Sequence, residues 1–109
     1  MVIEFEDKGL QELYETGKTT DRRYKKLAKD KVFVEELVGV IDIMYDVDCT
    51  SKLSDFSFLK YEKLKYNLSG LSSVRIIRNR VERLIFTEHE GGILVKLLEI
   101  DQEHYGKKK

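Results

Sequence analysis

The chain contains no proline and no tryptophan, a single cysteine, only two histidines, and no apolar run of membrane-spanning length. Each shortage removes a class of protein. Without proline there is no stiff extended linker, and the 109 residues read as one domain over 1–109, long enough to bury roughly two-thirds of its unfolded surface. Cys49 alone cannot form an intrachain disulfide, and its acidic surroundings in "DVDCTS" are expected to raise the thiol pKa and keep it unreactive. No apolar stretch approaches the ~18 residues that cross a bilayer. "MVIEFEDKG" lacks the basic-then-apolar order of a signal peptide, so a soluble, cytoplasmic protein without membrane contact is expected. His89 and His104 are far apart and outside any ligand-spaced cluster, so neither a metal nor another cofactor is called for. "GLSS" is not a nucleophile elbow, and "EGGI" lacks the lysine and spacing of a phosphate-binding loop.

Charge is abundant and evenly balanced, with 20 basic and 20 acidic residues, but it is unevenly distributed. Residues 1–50 carry 8 basic and 12 acidic side chains, and residues 51–109 carry 12 and 8. Between Lys60 and Arg83 seven basic residues stand against Glu62 and Glu82, a candidate polyanion site inside a neutral chain. The same pattern also fits a strand pair with solvated, charged outer faces.

Apolar spacing gives the architecture. "VIEF" is a short strand. Asp7 can cap a helix with Leu10, Leu13 and Tyr14 on one face, and Gly17 is placed to end it. A second helix is expected from Thr20 or Asp21, running on with or without a break at Asp30 into "KVFVEELVGVIDIMYDV". There Phe33, Val34, Leu37, Val38, Ile41, Met44 and Tyr45 recur at helical spacing as a core-facing stripe. "DCTSKLSD" reads as a loop. "SSVRII", "RLIF" and "ILVKLLEI" read as strands separated by a charged turn at 78–82 and an "HEGG" turn that exposes His89. The fold class is α+β, a small twisted antiparallel sheet with two or three helices packed on one face.

With metal, serine and P-loop chemistry set aside, acid–base chemistry on a phosphodiester remains. Cutting RNA this way needs a base for the 2′-hydroxyl proton, cations for the pentavalent phosphorane, and an acid for the leaving 5′-oxygen. Glu62 is a candidate base. The lysines around it would lower its pKa and burial against RNA would raise it, which leaves the sign open. Arg75 and Arg83 supply permanently charged forks for phosphate oxygens. His104 titrates near neutrality and is a candidate acid, while Tyr105 could stack on a base or donate its hydroxyl. A surface ion pair at Glu62 and a plain tail at His104 are the ordinary alternatives.

"EKLKYNLSGLSSVRI" (Glu62–Ile76), "ERLIF" (Glu82–Phe86) and "EHY" (Glu103–Tyr105) together resemble the catalytic half of the RelE/YoeB family of bacterial toxin endoribonucleases, with "LKYNLSG" the most specific part. The first half, with "DKGLQELYETGK", is similar to the related HigB toxins. The likeness covers the last 50 residues closely and the rest in architecture. It implies Glu62 as general base, His104 as general acid and Arg83 as the transition-state arginine, with Lys65 and Arg75 near the scissile phosphate and Tyr105 closing the site. It also implies a RelE/ParE-like fold, mRNA on the ribosome as substrate, and silencing by a cognate antitoxin protein, with a homodimer left open. The turn between Arg75 and Arg83 is two residues longer than in YoeB, Ser72 replaces a usual aromatic, and "GKKK" follows Tyr105. The alternative is a non-cleaving, toxin-like binding module held by an antitoxin and inhibiting another target, such as gyrase in the related ParE branch.

Overall fold

In the computed structural model, which describes residues 1–103, three aspartates set the starts of the helical segments within residues 8–46. Asp7 accepts the Leu10 amide (3.2 Å) and opens α1, Lys8–Thr16. Asp21 accepts the Arg23 amide (2.9 Å) ahead of a 3-10 turn that leads into the single-turn α2, Lys25–Ala28. Asp30 accepts the Phe33 amide (3.1 Å) and opens α3, Lys31–Asp46. Each carboxylate satisfies a donor that the first helical turn leaves without a backbone partner. Gly17 ends α1 at φ 78°, returning its N–H to the Leu13 carbonyl. The break at Asp30 is thus a cap.

Among the described residues, five strands form one sheet: β1 (Val2–Phe5), β2 (Glu62–Lys63), β3 (Ser72–Arg75), β4 (Arg83–His89) and β5 (Leu94–Asp101), in the order β1-β5-β4-β3-β2. The last four form an antiparallel meander, and β1 joins parallel to β5, pairing Val2 with Leu94 through Phe5 with Leu97. The sheet is therefore mixed. A parallel partner needs a long crossover, which the helices between β1 and β2 supply. The fold class is α+β, with the helices packed on one face.

Ile3, Val74, Leu84, Phe86, Val95 and Leu97 point from the sheet into the core, where they meet Leu10, Leu13 and the α3 stripe. On α3, Phe33, Leu37, Ile41 and Met44 are buried, and Val40 joins them. Tyr45 does not: it is 42 % exposed and lies against Tyr14 (ring centroids 6.0 Å), which stacks on Phe5 and donates to Asp42 (2.6 Å). Met44 fills the core position, and its neighbour is rotated to the rim.

Tyr24, fully buried, ties the helical layer to β5. Its hydroxyl donates to Asp7 Oδ2 (2.7 Å) and accepts the Ile100 amide (3.0 Å), and Gln102 donates to the Arg23 carbonyl nearby. Residues 50–55, expected as loop, form a 3-10 helix that buries Thr50 and Leu53. Among the described residues no helix is long and apolar enough to cross a membrane.

Candidate functional site

Strand register decides which charged side chains meet. Side chains alternate between the faces of a strand, and residues paired across strands share a face. Val74 pairs with Leu84 on the helix-covered side, so Ser73, Arg75, Arg83 and Ile85 belong to the opposite side. Glu62 pairs with Ser73 and Arg83 with Asp101. The face opposite the helices therefore holds two adjoining rows, Glu62–Ser73–Ile85–Glu99 and Arg75–Arg83–Asp101, with Ser73 and Ile85 themselves buried.

Arg75 and Arg83 stand directly opposite each other, an arrangement that is ordinarily unfavourable for like charges. Both guanidiniums are oriented by main-chain carbonyls, which fix direction without cancelling charge. Arg75 Nε donates to Phe58 (3.0 Å), and Arg83 Nη1 donates to Arg80 (3.2 Å) and Glu82 (3.3 Å). The turn between them closes with Arg80 N–H to the Ile77 carbonyl, with Asn79 in the left-handed region that asparagine tolerates.

The seven basic residues between Lys60 and Arg83 do not form one patch. Arg80 pairs with Asp30 (3.0 Å) and Glu82 (3.1 Å) and lies over Phe33, pinning the turn to the start of α3. Asp30 is held below its ordinary pKa by the Phe33 amide and by Arg80. Lys63 points to the helix side, 3.8 Å from Glu88. Lys60, Lys65 and Arg78 are exposed, Lys65 just ahead of the 3-10 turn Tyr66–Leu68.

Behind β2, on the helix side, lies a cluster the sequence reading missed. The Glu88 carboxylate accepts hydroxyl hydrogen bonds from Thr50 (2.8 Å), Tyr61 (2.5 Å) and Ser72 (2.7 Å), and its side chain is 13 % exposed. Burial would raise its pKa, but the three hydroxyls and Lys63 outweigh that and hold it below the ordinary value. Tyr61, desolvated and facing this carboxylate, is pushed up to about 12. A signal existed in "FTEHE": Glu88 stands two residues after the core residue Phe86, so alternation turns it toward the helices.

Two smaller expectations are corrected. His89 closes β4 instead of lying in a turn, and it is half-buried with Nε2 2.8 Å from the Thr87 hydroxyl. The Cys49 thiol is lowered, not raised: the Ser51 hydroxyl, 3.1 Å from Sγ, with help from the Ser51 and Lys52 amides and the Lys52 charge, outweighs desolvation. His104 and Tyr105 lie outside the described residues. Of the sequence-derived site, the fold thus brings Glu62, Arg75 and Arg83 to one sheet face, with Lys65 on the loop that leaves β2. A sheet face opposite the helices that carries a carboxylate and two opposed arginines gives this α+β domain a candidate anion site. No protein-family model matches the chain, and no curated protein matches it.

Proposed function

We propose that the protein is a ribosome-dependent, metal-independent mRNA endoribonuclease of the RelE/YoeB kind, the toxin of a toxin–antitoxin pair acting in the cytoplasm. The observation that carries this reading is the shared face of Glu62, Arg75 and Arg83. Two arginines forced opposite each other, with Asp101 as the cross-strand neighbour of Arg83 only, favour an anion between them. A carboxylate one row away is within a nucleotide's reach, since neighbouring strands are about 4.8 Å apart and successive same-face residues about 6.8 Å.

In this mechanism Glu62 removes the 2′-hydroxyl proton and the 2′-oxygen attacks the adjacent phosphorus. Arg75 and Arg83 neutralise the phosphorane, and the 5′-oxygen departs with a proton. His104 enters as its donor through the sequence resemblance, as does Tyr105 as the aromatic end of the site. The products are a 2′,3′-cyclic phosphate and a 5′-hydroxyl.

Substitution tests the assignment. Glu62→Gln and His104→Ala should each slow cleavage of translated mRNA by about 10²–10⁴-fold, the usual contribution of a general base or acid. Arg83→Ala should cost about 10²–10³-fold, and the losses should not add. His89→Ala should leave cleavage unchanged. Wild-type rates in all three primary variants would overturn the reading. Growth arrest without cleavage, lost in Arg83→Ala but kept in Glu62→Gln and His104→Ala, would mark a non-cleaving binding module instead.

A further inference from the structure

β2, which carries Glu62, is two residues long and, among the described residues, forms the outer edge of the sheet with β3 as its partner strand. Beyond the pairing of Glu62 with Ser73 and Lys63 with Ser72, the Leu64 amide bonds the Leu71 carbonyl at 2.9 Å. So short an edge ladder specifies register weakly, and a slip of one residue would turn Glu62 to the opposite face. On the helix side the Tyr61 ring stacks on Phe86 (ring centroids 6.4 Å), a contact that Tyr61→Phe would keep, and beyond it the packing is open. Two open cavities, of about 510 and 200 Å³, flank the space behind β2, and Lys63 and Glu88 line both.

What spans that space is Glu88. The residues on either side of Glu62 both reach its carboxylate, Tyr61 through its hydroxyl at 2.5 Å and Lys63 through Nζ at 3.8 Å. Ser72, opposite Lys63, binds the same carboxylate. Thr50 braces it from the 3-10 helix, and Gly92 of the β4–β5 turn lies so close to the Thr50 hydroxyl that a side chain there would collide with it.

We propose that Glu88 is the positioning residue for Glu62: by holding Tyr61 and Lys63 on the helix side, its carboxylate fixes β2 in the register that presents Glu62 beside Arg75 and Arg83. The consequence for cleavage rests on the reading of Glu62 as the base; the anchoring of β2 does not. Arg75 and Arg83 share β3 and β4 with Ser72 and Glu88 but lie at the far ends of those strands and do not touch the Glu88 carboxylate, so substrate engagement and proton removal should separate when Glu88 is changed.

The test compares Glu88→Gln, and the milder Tyr61→Phe, with the wild type in single-turnover cleavage on programmed ribosomes. The maximal rate should fall by about 10- to 100-fold, as expected for a misplaced catalytic group, while the half-saturating ribosome concentration changes less than about threefold. In a Glu62→Gln background neither change should lower the residual rate further, because coupled residues are not additive. Amide exchange at Leu64 should quicken in both variants. The proposal is overturned by an unchanged maximal rate alongside an inactive Glu62→Gln, or by the same proportional loss with and without the Glu62 side chain. If Glu88→Gln does not fold, Tyr61→Phe decides by the same criteria. Should Glu62→Gln cleave like the wild type, the base assignment fails, and exchange at Leu64 alone decides: faster exchange keeps Glu88 as the anchor of β2, and unchanged exchange removes it.

Discussion

Asp7 uses one carboxylate for two purposes: Oδ1 caps α1 while Oδ2 receives the Tyr24 hydroxyl and the Arg23 guanidinium. Tyr24 in turn accepts the Ile100 amide, so a single buried hydroxyl joins the first helix to the last strand. Tyr24→Phe leaves that donor and that acceptor short of a partner and should cost about 1–3 kcal/mol in a denaturant titration; a loss below about 0.5 kcal/mol, the surface range, would contradict the bridge. Glu88 gives a prediction with a sign. Its folded pKa lies below the ordinary 4.5, so its ionised contacts stabilise the fold at higher pH and are lost as pH falls through the folded value. The stability gap between wild type and Glu88→Gln should be constant from neutrality to about pH 4.5 and narrow below it. A gap that widens in acid would contradict the assignment. Glu88 escaped the sequence reading because Thr50, Tyr61 and Ser72 come from three separate segments, and only the folded sheet brings their hydroxyls to one carboxylate.

At the scale of elements, α3 carries the largest share of the core on the helical side. Leu37→Ala or Ile41→Ala should each destabilise by about 2–5 kcal/mol. Tyr45→Ala, at the rim, should stay near the surface range of about 0.5 kcal/mol, measured by thermal or chemical unfolding. Equal costs at Ile41 and Tyr45 would mean the buried stripe is wrongly drawn. Helix starts were legible because caps are local: Asp7, Asp21 and Asp30 lie within three residues of the amides they bind. The direction of β1 was not, because nothing in "VIEF" says whether its partner runs with it or against it. Nor was β2, whose two residues carry too little pattern and whose place depends on Ser72, Ser73 and the contacts behind it. Glu62, Arg75 and Arg83 could be named from composition and resemblance. That they share a face follows from the register across the turn at 76–82, where Arg80 is held by Asp30, 50 residues away.

The whole molecule is formally neutral, and its separation of charge matters more than the total. One face of the sheet is closed by helices, and the other carries Glu62, Arg75 and Arg83 together with Glu99 and Asp101 of β5. Acidic side chains beside the arginines limit nonspecific polyanion binding, in keeping with a site for one phosphate in a substrate held elsewhere, as mRNA is held on the ribosome. If, as proposed, this face drives attack of a 2′-oxygen on its own phosphodiester, the chemical ends of the cut RNA report it directly. Translated mRNA should be mapped after exposure to the protein, with and without ribosomes. Cuts should depend on ribosomes and leave a 5′-hydroxyl on one fragment and a 2′,3′-cyclic phosphate, or the 3′-phosphate it opens to, on the other. Cuts that leave 5′-phosphates, or a translated mRNA that stays intact, would contradict it.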